Sequence, residues 1–157
     1  MRRLMLGLLM LAAVASAASA ATAPSGPPRP KVTTLGVSRY ATVFQSCWGY
    51  ASKRRCVATA GGVGHPSSTI LWRPGATLTI DLRLAAQDVN ISAEHVIDGA
   101  VVAGDSVRLA LRRVDSDGRR WRVSLPARAA KSTDLVIYAR HGDRGDLVAD
   151  LGLRRRR

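Results

Sequence analysis

The chain has 157 residues, with 24 lysines and arginines against 11 acids and a formal net charge of +13 at pH 7. That length suits one domain, and two cysteines with no histidine nearby supply too few ligands for a structural zinc site. A surface this basic suits anionic partners: wall polymers, lipid head groups or nucleic acid.

The N-terminus sets the compartment. Arg2 and Arg3 precede an apolar run from Leu4 to Val14, and Ala18-Ser19-Ala20 follows with small residues at the cleavage positions. This is the layout of a secretory signal peptide, too short in its apolar part for a spanning helix of about 20 residues. Cleavage is expected near Ala20, which makes the chain extracytoplasmic and its disulfides permitted. Residues 21–30 (ATAPSGPPRP) form a Pro-rich linker with little apolar area to bury. A β-sandwich domain is expected over 31–153 and a basic tail over 154–157.

Within the domain, Lys31–Val37 and Arg39–Trp48 are strand candidates, the second rich in aromatic and β-branched residues. A turn over Gly49–Arg54 and a return through Thr59 make a hairpin. Cys47 and Cys56 flank that turn, and in an exported chain a lone pair at this spacing predicts one intramolecular disulfide. Thr69–Arg73 and Ala76–Leu84 follow, split by Pro74-Gly75, a strong turn signal. The second alternates cleanly, with Leu78, Ile80, Leu82 and Leu84 inward. Asp88–Ile97 reads as a strand or an irregular segment.

The clearest pattern is Asp105–Pro126. Val107, Leu109 and Leu111 share one face, Asp115–Gly118 turns the chain, and Trp121, Val123 and Leu125 share a face on the way back. A second hairpin, Asp134–Arg140 with Asp146–Leu153, closes the domain. About seven to nine short strands and no helical period predict an all-β, antiparallel sandwich.

Trp121, Val123, Leu125-Pro126, Leu135–Tyr138 and Gly142–Leu147 resemble the end of bacterial immunoglobulin-like domains, over about a third of the chain. The resemblance implies an immunoglobulin-like β-sandwich used for presentation or adhesion and carries over no catalytic residue. The cysteine pair, nine apart, stands outside that family's inter-sheet bridge.

The candidate binding surface is the disulfide loop, where Trp48 and Tyr50 accompany Lys53, Arg54 and Arg55. Aromatics stack on sugars or bases and the cations attract phosphate or carboxylate. Arg144-Gly145-Asp146 spells a cell-adhesion tripeptide in an expected turn. His65, His95 and His141 fall in no catalytic spacing, and no G-x-S-x-G is present. No catalytic residue, metal ligand or cofactor is assigned, and no motif for sequence-specific nucleic-acid recognition is found. Charge is uneven: residues 21–80 carry seven basic residues and no acid, 81–153 carry eleven of each, and the last four are arginines. The expectation is a secreted, non-catalytic binding or structural module of the cell envelope that contacts anionic polymers. The alternative is a secreted hydrolase or inhibitor.

Overall fold

A computed structural model describes residues 26–50, 53–59 and 66–156. The expected signal peptide and most of the linker lie outside these residues. The described chain is an antiparallel β-sandwich, and its strands follow from period-two patterns with the chain passing repeatedly between two sheets.

The first sheet contains β1 (Lys31–Thr34), β2 (Val37–Tyr40), β6 (Thr77–Asp81), β11 (Leu111–Arg113) and β12 (Arg120–Ser124), in the order β11-β12-β6-β1-β2. The second contains β3 (Thr42–Trp48), β4 (Arg55–Ala58), β5 (Thr69–Trp72), β7 (Asp88–Glu94), β10 (Val107–Arg108), β13 (Asp134–Arg140) and β14 (Gly145–Arg155). Its order is β10-β7-β13-β14-β3-β4, with β5 also paired to β14. A small ribbon, β8 (Val96–Ile97) with β9 (Ala100–Val101), stands apart.

Directly opposed residues share a face, and the registers build the core from that rule. Leu135, Ile137 and Ala139 oppose Leu151, Ala149 and Leu147, and on the other side Ala93, Ile91 and Val89. From the first sheet Val32, Leu78, Ile80 and Val123 face them, all at 1 % exposure or less. Each such aliphatic side chain contributes about 1.5–3 kcal/mol by leaving water.

Two expected strands are cut where the chain changes sheet. Arg39–Trp48 breaks at Ala41, which is fully buried and donates its N–H to the Pro30 carbonyl at 2.8 Å. Asp105–Pro126 is not one hairpin. Val107–Arg108 pairs with β7, Leu109 donates to the Ile91 carbonyl at 2.9 Å, and from Leu111 the chain pairs with β12 in the other sheet. Leu109 keeps its inward position between the sheets. With these breaks, the β1–β2 turn and the β8–β9 ribbon, the described residues hold fourteen strands, against the seven to nine expected. Leu84, expected inward, lies past the end of β6, beyond Arg83 with its φ of 68°, and is only half-buried.

The C-terminal hairpin is as expected, with Leu147, Ala149, Leu151 and Leu153 all buried. Its last strand runs further. Arg154 and Arg155, expected in a tail beyond it, are its final two residues and pair in parallel with Leu71 and Trp72. Arg156 adds a backbone hydrogen bond to the Trp72 carbonyl at 2.7 Å.

Candidate functional sites at the two ends of the sandwich

At one end, Cys47 and Cys56 are directly opposed on β3 and β4 and form the expected disulfide. Consecutive strand residues point to opposite faces, so Trp48 turns away from the disulfide and into the sandwich. It is 8 % exposed and packs edge-on against His141, ring centroids 5.5 Å apart. Trp48 is therefore a core residue at the rim, not an open stacking platform.

Tyr50 remains exposed. The turn Gly142–Arg144 between β13 and β14 lies beside it: Gly49 donates to the Arg144 carbonyl at 2.9 Å, and Arg54 Nη2 donates to the Asp143 carbonyl at 3.1 Å. The Arg144 guanidinium sits 5.1 Å from the Tyr50 ring centre, a cation–π distance. Lys53, Arg54 and Arg55 are exposed around the same tip, of which Ala51 and Ser52 lie outside the described residues. Arg144 thus joins the four expected residues Tyr50, Lys53, Arg54 and Arg55, brought in from the neighbouring turn.

The adhesion tripeptide is not displayed here. Gly145 is buried opposite Trp48 with φ at 123°, and a Cβ there would overlap the Cys47 carbonyl. Asp146 accepts a hydrogen bond from the Cys47 N–H at 3.2 Å. The tripeptide is spent on joining the strands.

At the far end, sequence-distant cations meet. The parallel pairing of β14 with β5 sets Arg154, Arg155 and Arg156 along Leu71, and Arg156 lines one cleft with Arg39 of the edge strand β2. Arg39 opposes Val32, so it lies on the inner face of the sheet, at its open edge. Inward-pointing charge on an edge strand also blocks edge-to-edge pairing. A cleft of about 190 Å³ lies between Arg39, Arg156, Leu35, Val37 and Leu71, and a shallower groove of about 660 Å³ runs along Leu71 and Arg154–Arg156. The ion pairs among the described residues are His95–Asp105, Arg119–Asp117 and Arg120–Asp115. None of them draws on these four arginines.

The topology also assembles a polar cluster on β7 and the segment before β10. His95 Nδ1 donates to Asp105 Oδ2 at 2.9 Å, and Ser106 Oγ donates to Glu94 Oε1 at 2.9 Å. The His95 hydrogen bond, helped by the Lys131 cation, holds the Asp105 carboxyl below the usual carboxylate range despite some desolvation. Ser106 is engaged by Glu94 rather than by the histidine. His65 lies outside the described residues, and His141, on the Trp48 ring, donates from Nδ1 to the Ala85 carbonyl at 2.9 Å.

Among the described residues no group of three or more His, Cys, Asp or Glu is placed to hold a metal ion. No described helix is long and apolar enough to cross a membrane. No family model, curated protein or solved structure matches the chain.

Sequence reading notes Arg144 only within the adhesion tripeptide; its place beside Tyr50 depends on β14 pairing with β3. The arginine edge was missed because a parallel contact between residues 69–72 and 152–155 leaves no local signal; only the run of arginines itself was visible.

Proposed function

We propose that the chain is an exported, non-catalytic binding module of the cell envelope that contacts an anionic polymer through its disulfide-bonded end. The observation that supports this most is the exposed Tyr50 ring with Arg144 stacked on it, ringed by Lys53, Arg54 and Arg55. An exposed aromatic beside four cations suits a polymer that alternates sugar faces with phosphate or carboxylate groups. The disulfide and the two backbone-directed hydrogen bonds fix the tip before binding, which lowers the entropy cost of ordering it. The secretory leader, read from sequence, puts this surface where wall polymers are. The likeness of the C-terminal third to bacterial immunoglobulin-like domains agrees with a presentation role and adds no chemistry.

The test is retention of the chain from Ala21 to Arg157 on immobilised polyphosphate and polygalacturonate. Replacing Lys53, Arg54 and Arg55 together by serine is expected to shift elution to markedly lower salt, because each lost contact reduces the number of released counterions. Tyr50→Ala is expected to weaken retention at constant charge. Unchanged elution of both variants would sink the reading.

The alternative, a secreted hydrolase, draws on the His95–Asp105 pair. It needs a nucleophile beside His95, and Ser106, next in sequence to the Asp105 that His95 binds, gives its hydroxyl proton to Glu94. The non-catalytic reading is preferred on that geometry.

A further inference from the structure

The far end of the sandwich differs chemically from the disulfide end: it joins cations to aliphatic side chains. Leu35, Val37 and Leu71 are 48 %, 44 % and 50 % exposed, and they flank the cleft that Arg39 and Arg156 also line. Arg154 and Arg155 continue the basic row along Leu71. A soluble polyanion has partners for the arginines and none for three aliphatic groups. An anionic bilayer surface has both, phosphates at the level of the head groups and hydrocarbon just beneath.

Leu35 is a second, independent pointer. It tips the β1–β2 hairpin, where Leu35 and Gly36 have φ of 49° and 77°. Positive φ at both central residues is the two-residue hairpin turn that asparagine or aspartate followed by glycine normally occupies. Leucine there accepts left-handed backbone strain and leaves its side chain about half exposed, outside the core cluster. A position that breaks both local rules points to a demand from outside the chain.

We infer that this edge is a membrane-surface contact: Leu35, with Val37 and Leu71, enters the head-group boundary of an anionic bilayer while Arg39, Arg154, Arg155 and Arg156 engage lipid phosphates. The contact is peripheral and uses the folded domain; it is separate from the polymer-binding end and does not rest on it.

The experiment is co-sedimentation of the chain from Ala21 to Arg157, which holds every described element, with vesicles of equal parts phosphatidylglycerol and phosphatidylcholine, against vesicles of phosphatidylcholine alone. Binding is expected on the anionic vesicles only and is expected to fall as salt rises. Replacing Arg154, Arg155 and Arg156 together by serine is expected to lower the partition coefficient on the order of a hundredfold, at about fivefold per arginine near an anionic surface. Leu35→Asn is expected to lower it about tenfold while raising the thermal midpoint, because asparagine tolerates the left-handed turn. A residue with only a structural role cannot move the two readouts in opposite directions. Equal binding to both vesicle types, or vesicle binding unchanged in Leu35→Asn, would overturn the inference. So would a soluble dimer that Leu35→Asn converts to monomer, since the surface would then be an interface between copies.

Discussion

At the scale of single residues, His141 shows what burial does to a titrating side chain. Its ring is 5 % exposed, with Trp48 against one side and the Ala85 carbonyl on Nδ1. Burial pushes its pKa below the ordinary 6.5, and the hydrogen bond to Ala85 opposes this more weakly. The folded chain therefore holds the neutral ring and binds fewer protons than the unfolded chain below about pH 6.5. Stability from this group is complete above that pH and declines as the pH falls toward the lowered pKa. Denaturation midpoints measured from neutrality into mild acid are expected to fall, and His141→Gln is expected to flatten that slope. A slope that persists in the variant would assign it to other groups. The Asp105 carboxyl, whose pKa is lowered from 3.8, acts in a separate window: its contribution is present above its unfolded value and lost in stronger acid.

At the scale of elements, the β3–β4 hairpin depends on its disulfide more than any core strand does. β4 is exposed at every residue and pairs only with β3. Little apolar burial holds it, so the covalent link and the four-residue register carry it. Replacing both cysteines by alanine is expected to cost about 2–3 kcal/mol, the chain-entropy figure for a loop of this size. The loss is expected to appear in hydrogen exchange at β4 and at Gly49, Tyr50, Lys53 and Arg54 before the β13–β14 pair, which is buried on its inner face. Uniform loss across both sheets would show that the bridge supports the whole fold. The same scale explains why pattern reading succeeded at 134–153 and failed at 105–126. Leu135–Ala139 and Leu147–Leu153 stay within one sheet, so alternation maps onto continuous strands. Val107, Leu109 and Leu111 keep the same alternation while their backbone partners change from β7 to β12, and alternation reports the buried face, not the partner.

At the scale of the molecule, β14 connects the two basic ends. Its eleven residues start opposite Trp48 and finish opposite Trp72, and at roughly 3.3 Å per residue the ends lie about 35 Å apart. Charges that far apart are screened from each other beyond a Debye length of about 8–10 Å, and sites more than about 10 Å apart with no shared partner act additively. The serine variant at 53–55 is therefore expected to alter polymer retention and leave vesicle partitioning unchanged, and the serine variant at 154–156 to do the reverse. Measuring both variants in both assays checks this; matched losses in each would reduce the two ends to one diffuse basic surface.

Composition and alternation alone determined the all-β sandwich, the single disulfide, the inward rows of β6 and β14, and the disulfide loop as a place to look for binding. Those features are local: a period of two, a Pro-Gly turn and a short cysteine spacing act through neighbours in the chain. Tertiary structure alone decided where the chain changes sheet, that Trp48 faces His141 rather than solvent, that Arg144 reaches Tyr50, and that Arg39 shares a cleft with Arg156. These depend on which strand lies beside which, and the registers joining residues about eighty or more positions apart are set by packing the whole core at once. The disulfide loop stays the polymer-binding candidate with one aromatic fewer and one arginine more, and the edge where Leu35 tips its turn became visible only in the folded chain.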